Sequence, residues 1–524
     1  MSWKPEVEGI EERARRAGEL GGHDAVARQH ERGRLTIRER IAGLLDAESF
    51  VEQGPVAGAS TSGPDGRLDF TPANYVLGLG RIDGRPVAVG GEDFTQRGGS
   101  PSPAGLRKSV YAEELACRLR VPLVRFLEGG GGSVAGTAGR APQQGGGSQP
   151  SGGDPVYAPH RFSSMARAMA TVPVVSAAVG AVAGLPAARL VASHFALMTR
   201  DTAQVLIGGP ALVERALGER LTKEELGGAQ VHERSGVVDA VVADEHAVFA
   251  AVRRFLSYLP TNVWEAAPRT PSDDDPARAD ERLLSHIPRE RRRAYDMRKL
   301  LACVVDQGSL FELGRGHGRS QITALARLAG QPVGIWANDP MFYAGSMSAD
   351  AARKVRRFVD LCETFHLPVV AFVDEPGFMI GREAERAATI RFGTEALFAV
   401  VQSTVPWCSV IVRKAYGVAA AAHFAPGAHV LAWPSAEGGA LPLEGGIAVA
   451  FRREIEAAPD PDAHRRALEE RFASARSPYA RAEAFGVNDL IDPRRTRPAL
   501  CAWVDAIQTA LRLHTGERGF AIRP

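Results

Sequence analysis

Cysteine is scarce in this chain, with five among 524 residues at Cys117, Cys303, Cys362, Cys408 and Cys501. They lie far apart and form no Cys-x-x-Cys pair, which excludes a zinc ribbon and offers no disulfide framework. Net charge is also nearly absent. The 63 Lys and Arg against 61 Asp and Glu leave +2, too weak a field to argue for nucleic acid or an anionic membrane as the main partner. No uninterrupted apolar run approaches the roughly 20 residues a spanning helix needs. The opening MSWKPEVEGIEERARR lacks the apolar core of a signal peptide, so the expectation is a cytoplasmic chain. Catalytic signatures are missing as well. There is no Gly-x-Ser-x-Gly, no His-Glu-x-x-His and no ligand-like spacing among the 13 histidines, so no bound metal is expected.

What the chain has is length, apolar content and glycine. With 45% hydrophobic and 24% charged residues it reads as a globular protein, and its length suggests two large domains. An internal repeat supports that division. Arg81 to Gly131 aligns without a gap on Arg327 to Gly377, an offset of 246. Arg81 meets Arg327, Gly84 meets Gly330, Asp93 meets Asp339, Lys108 meets Lys354 and Phe126 meets Phe372. About a dozen identities in about fifty positions, against roughly three expected by chance, mark a duplication. Thr-Val-Pro then recurs at Thr171 and Thr404, an offset of 233, so a loop differs in length between the copies.

Each copy reads as strand, turn, helix, strand. Arg85 to Val89 is an apolar run opened by Asp-Gly, a helix is predicted from about Ala104 to Leu119, and Val121 to Leu127 is a buried strand. Such alternation argues for an α/β architecture. Pro268, Pro271 and Pro276 around the acidic run Asp273 to Asp275 read as a linker, giving domains of 1–265 and 280–524. Near the start, Thr36 and Glu39 have capping-box spacing ahead of Ile41 and Leu44.

Three segments invite chemistry. Gly129-Gly130-Gly131-Gly132 follows a strand, where glycine lets a backbone approach a ligand closely; Ser133-Val134 comes next instead of Gly-Lys-Ser/Thr, which removes the phosphate-loop reading. Val179 to Ala188 and its counterpart Arg413 to Ala422 carry small residues where a strand turns into a helix. That geometry leaves main-chain N–H groups able to stabilise an oxyanion, though an Ala-rich helix packed under a sheet has the same composition. Glu128 and Asp374 stand at equivalent strand ends, open to an acid–base role or to bonding the adjacent turn.

Taken together, several stretches resemble a known family, the carboxyltransferase (β) subunits of propionyl-CoA, methylcrotonyl-CoA and related biotin-dependent acyl-CoA carboxylases. They are Leu35-Thr-Ile-Arg-Glu-Arg-Ile41, Glu225-Leu-Gly-Gly-Ala229, Tyr295-Asp-Met297, Phe372-Val-Asp-Glu-Pro-Gly-Phe378, Arg413-Lys-Ala-Tyr-Gly417 and Ala432-Trp-Pro434. The resemblance implies tandem crotonase-like domains, the N-terminal one facing acyl-CoA and the C-terminal one facing carboxybiotin. It implies a homo-oligomer, usually a hexamer with sites between subunits, working with a separate α subunit that holds the biotin carboxylase and biotin carrier. The chemistry it implies is carboxyl transfer to an acyl-CoA through an enolate.

Two oxygens that gain negative charge would each need a pair of backbone donors. The resemblance assigns the first pair to Gly184 and Leu185, and the second to Val418 and Ala419. Ligand contacts are expected at Gly130, Gly131 and Gly132 from the glycine run itself, where the family pattern is not kept, and at Gly417, Ala420 and Ala421; the resemblance implies that Ala421 lines an acyl pocket, with Ala420 beside it in place of an aromatic. Both donor motifs depart from the family's Ala-Gly-Gly-Ala and Phe-Gly-Gly-Ala: Leu185 and Val418 stand at glycine positions, and Pro186 has no N–H. A decarboxylase running the same enolate chemistry in reverse and a non-catalytic CoA-binding scaffold remain as alternatives.

Overall fold

The structure is a computed structural model, which describes residues 2–62, 68–130, 161–291, 293–474 and 477–518. The chain divides into two compact units, Met1–Val263 and Trp264–Ile522, apart from its last two residues.

Unit 1 is organised by an eight-stranded sheet. Its strands are β1 (Val51–Glu52), β4 (Tyr75–Ile82), β5 (Arg85–Glu92), β6 (Leu123–Gly129), β7 (Val174–Ala183), β8 (Phe195–Thr199), β9 (Gln204–Leu206) and β10 (Ala240–Val242). The order is β1-β4-β5-β6-β7-β8-β10, with β9 paired to the end of β7; β2 (Gly58–Ser62) and β3 (Leu68–Pro72) form a separate hairpin. β4 and β5 are antiparallel, whereas β5, β6, β7, β8 and β10 run parallel. Every residue of β6 is buried, as expected of a parallel strand covered on both faces. The helix Pro103–Leu119 makes the crossover between β5 and β6. Ser102 caps it by accepting from Gly105 N–H, Pro103 suits its first turn, and Arg120 ends it at φ 56°. The capping box at Thr36 is present on the helix Ile37–Leu44, whose Ile37, Ile41 and Leu44 are buried.

Unit 2 repeats this sheet strand for strand: β11 (Phe311–Leu313), β12 (Gln321–Leu328), β13 (Gln331–Asn338), β14 (Val369–Glu375), β15 (Trp407–Tyr416), β16 (His429–Ala432), β17 (Glu437–Gly439) and β18 (Asp489–Leu490). Here β17 pairs with the end of β15 as β9 does with β7. The step of 246 residues carries β4 onto β12, β5 onto β13 and β6 onto β14, and the step of 233 carries β7 onto β15. The repeat is therefore one of three-dimensional structure, and both α/β sheets share it. Its core includes Met297, Leu300, Ile335, Phe372, Val410 and Trp433.

The proline-rich segment read as a linker is fastened to unit 2. Arg278 Nη1 donates to Cys303 O, and Arg497 Nε donates to Asp275 O. All five cysteines are free, and four of them are buried. Among the described residues no helix is long and apolar enough to cross a membrane, and no group of three or more His, Cys, Asp or Glu could hold a metal ion.

Candidate active site

The two strand-to-helix turns singled out in the sequence occupy the same place in each unit. β7 ends at Ala183, Gly184 follows with φ 66° and ψ −130°, and the helix Leu185–Val191 begins. β15 ends at Tyr416, Gly417 follows with φ 64°, and the helix Gly417–Ala421 begins. Both glycines lie in the left-handed region that a side chain disfavours, so the reversal of direction depends on glycine at these two positions. The first N–H groups of a helix have no intrahelical partner. In unit 1 the turn carries N–H groups at Gly184 and Leu185 but none at Pro186; the equivalent turn of unit 2 carries them at Gly417, Val418 and Ala419. Val418 is 57% exposed, so its isopropyl group points out of the core, while Ala419 and Ala420 are buried and Ala421 is exposed.

Ahead of each turn, one strand away, sits the paired acid. Glu128 and Asp374 are both fully buried, and each lies at a register shift of its strand, between Leu127 and Gly129 in β6 and between Val373 and Glu375 in β14. A bulge of this kind re-aims the side chain of the displaced residue. Both acids are committed to structure. Glu128 is held by Arg40 Nη1 at 2.7 Å, Arg34 Nη1 at 2.9 Å and Gln29 Nε2 at 2.8 Å. Asp374 accepts from Arg413 Nη2 and from the Tyr295 hydroxyl, each at 2.9 Å, and from Lys414 N–H at 3.1 Å. Of the two roles left open by sequence, the geometry favours bonding over acid–base work.

The glycine run begins in a tight place. A Cβ on Gly129 would lie 2.7 Å from Gly99 O, and one on Gly99 would lie 2.2 Å from Glu128 O, so two backbones pass close together here. Gly130 is half-buried, and a Cβ on it would have only Ser100 Oγ nearby, at 3.8 Å. Gly131 and Gly132 lie outside the described residues.

Two buried polar clusters were not singled out from sequence. In unit 1, Glu113 accepts from Arg125 Nη1 at 3.1 Å and Arg189 Nε at 2.8 Å, beside the cross-strand pair Tyr75 and Glu92. Tyr75, Glu92 and Arg189 line a cavity with Leu185 and Pro186 of the first turn. In unit 2, Glu375 accepts from Asn338 Nδ2 at 2.9 Å and Gly377 N–H at 3.0 Å, and His423 Nε2 is 3.5 Å away. His423 stacks on Trp336 with ring centroids 3.8 Å apart. Burial pushes the Glu375 carboxyl up to about 8 and pulls the His423 imidazole down to about 3. A signal for the first cluster was available in the repeat: Glu113, Arg125 and Arg189 fall opposite Val359, Ala371 and Ala422, charge against apolar in a buried setting.

The chain matches the family described as "Carboxyl transferase domain" over residues 28–520. It is 34% identical over 499 residues to the methylmalonyl-CoA decarboxylase subunit alpha of Veillonella parvula, covering 94% of each chain. It is 34% identical over 510 residues to the propionyl-CoA carboxylase carboxyltransferase subunit of Haloferax mediterranei, covering 96% of each. Among solved structures it resembles the transcarboxylase 12S hexamer with methylmalonyl-coenzyme A bound, with a TM-score of 0.87 at 32% identity, covering 100% of this chain and 97% of the other.

Proposed function

We infer the reaction from membership: the chain belongs to the carboxyl transferase domain family and is an acyl-CoA carboxyltransferase with two crotonase-like units. It moves a carboxyl group from carboxybiotin on a partner subunit to the α carbon, or the vinylogous γ carbon, of an acyl-CoA. The observation that supports this reading is the pair of glycine-opened strand-to-helix turns at matching repeat positions, because the chemistry requires two separate sets of oxyanion donors.

Gly184 and Leu185 N–H are assigned to the thioester oxygen, which gains charge as the α carbon becomes an enolate. Val418 and Ala419 N–H are assigned to the biotin oxygen. The second turn suits such a guest: Gly417 has no Cβ, Ala419 and Ala420 are small, and the Val418 side chain is turned outward. Carboxybiotin on its carrier would supply the carboxyl group, and the nitrogen that gives it up would take the α proton. This chain's residues need only hold the two oxygens, align the acyl carbon and exclude water. Gly130 to Gly132 and Gly417 are assigned to ligand approach, and Ala420 and Ala421 to the acyl pocket.

We assign acyl-CoA to unit 1 of one subunit and carboxybiotin to unit 2 of another, in a homo-oligomer of six in the cytoplasm. Apolar residues left exposed on the helix Thr389–Gln402, namely Ile390, Phe398 and Val401, with Ile380 nearby in sequence, support burial against another copy. The 34% identity to a decarboxylase subunit keeps decarboxylation as a second direction of the same chemistry. The test is purification of the tagged chain from its own cells, a streptavidin blot, and assays with a panel of acyl-CoAs in both directions. A biotinylated partner with ATP- and bicarbonate-dependent carboxylation supports the reading. A biotinylated partner with decarboxylation alone reverses its direction, and neither activity sinks it.

A further inference from the structure

The cavity beside the first turn differs from everything at the equivalent place in unit 2. Tyr75 and Glu92 are direct cross-strand partners on β4 and β5, as Gln321 and Asn338 are on β12 and β13. In unit 2 this pair is saturated: Gln321 Oε1 accepts from Trp336 Nε1 at 2.8 Å, and Asn338 Nδ2 donates to Glu375 and to Gly345 O. In unit 1 it is not. Among the described residues, the Tyr75 hydroxyl is buried without a hydrogen-bond partner, and so is Arg189 Nη2. Both residues are only 2% exposed, and both line the cavity with Glu92, Gly99, Leu185 and Pro186.

Unpaired buried polar groups are costly, so two in one cavity mark a place for an incoming oxygen. Their chemistry decides which kind. Arg189 Nη2 can only donate. Burial pushes the Tyr75 phenol up, keeping its proton in place. Burial also raises Glu92 above the usual carboxylate range, against the opposing Arg189 charge, and its carboxylate takes a long 3.4 Å bond from Glu128 N–H. The room, about 10 Å³, fits one oxygen-sized group, not a whole acyl chain. Its place against Leu185 and Pro186 puts it beside the turn assigned to the thioester oxygen.

We propose that Tyr75, Arg189 and Glu92 form a specificity pocket for an acyl-CoA whose chain carries a hydrogen-bond-accepting oxygen, such as a hydroxyacyl thioester. Arg189 Nη2 and the Tyr75 hydroxyl donate to that oxygen, and Glu92 accepts a hydroxyl proton or donates its own. This rests on the acyl-CoA reading of unit 1. A site built to hydrogen-bond a substrate oxygen rejects the analogue that lacks it far more strongly than an apolar pocket distinguishes one methylene.

The test is calorimetric titration of the full chain with 3-hydroxybutyryl-CoA and with butyryl-CoA, repeated with Tyr75→Phe. That variant removes a hydroxyl with no partner among the described residues, so folding is spared, and thermal unfolding checks it. The expected result is a preference of about tenfold or more for the hydroxyacyl thioester, falling toward one in Y75F. Equal affinities, or a preference that Y75F leaves untouched, would mean that the cavity holds only a water; that overturns the pocket and leaves the carboxyltransferase reading intact. Binding of neither thioester would also overturn the pocket, and the carboxyltransferase reading would then stand or fall on the panel of acyl-CoAs.

Discussion

Unit 1 and unit 2 each bury an acid at the same strand position, by different means. At the strand position facing it, unit 1 has Gly180 and unit 2 has Arg413, matched by the step of 233. Where the glycine stands, the longer Glu128 fills the space, and a Cβ there would lie 2.4 Å from its Oε1. Its charge is then met from outside the strand pair, by Arg34 and Arg40 of the N-terminal segment. Where the arginine stands, the acid is the shorter Asp374 and the partner comes from the adjacent strand, with the guanidinium also lying 4.7 Å over the Tyr295 ring. Duplication preserved the bulge and the burial of the charge but not the residues that neutralise it. A buried carboxylate therefore constrains its surroundings to supply a cation, without specifying from where.

The sharpest way to break this comparison is Arg40→Met. Arg40 is 1% exposed and pairs with both Glu128 and Glu245, so its loss leaves Glu245 without its cation and Glu128 with Arg34 alone. A destabilisation of about 3–5 kcal/mol is expected in urea unfolding. Arg413→Met strands one acid, and its loss should be smaller; equal losses would refute the distinction.

Next comes a transplant between the turns. Ala419→Pro copies Pro186 into unit 2 and removes one assigned donor, with little harm to a helix start. A fall in kcat of about 10² to 10³ is expected with the oligomer intact. Unchanged turnover would remove Ala419 from the oxyanion pair.

A smaller effect tests the glycine itself. Gly180→Ala should cost about 1–3 kcal/mol through its clash with Glu128, and adding Glu128→Asp should recover part of it. A double-mutant cycle with no coupling would deny that the two positions share space.

The mildest prediction concerns pH. Glu375 binds its proton more tightly folded than unfolded, so its contribution to stability is full below about 4.5 and is lost as pH rises toward 8. His423 works in the opposite sense: its contribution is full above about 6.5 and is lost as pH falls toward 3. The two slopes oppose each other between about 4.5 and 6.5, leaving a decline of roughly 1 kcal/mol per pH unit between about 6.5 and 8. Glu375→Gln should flatten that decline in melts at pH 6.5 and 8; an unchanged slope would place its origin elsewhere.

Much of the fold was legible because the chain states it twice. Identities such as Gly84 with Gly330 and Pro122 with Pro368 mark turns and strand ends, and these align the two sheets from sequence alone. The Thr36 capping box was legible because it is local. The hairpin of β2 and β3 and the helices between Leu443 and Glu483 carried no comparable pattern and were not anticipated. At the site, the glycine-opened turns could be read from small residues at strand ends. The Tyr75, Glu92 and Arg189 group could not, because its members lie on two strands and a helix and meet only through tertiary packing. Reading the repeat for differences as well as identities would have exposed it, since Arg125 opposite Ala371 is a conspicuous exchange inside a strand.

The source of each neutralising cation also sets an order of assembly. Arg413 and Asp374 are 39 residues apart, so unit 2 can close its clamp as soon as two neighbouring strands are made. Arg40 must wait for Glu128 and then for Glu245, 205 residues further along the chain than itself. On the ribosome, the first half to emerge is thus the slower to settle its buried charges. Until the helix Glu245–Tyr258 arrives, its N-terminal segment has only part of the contacts that hold it down.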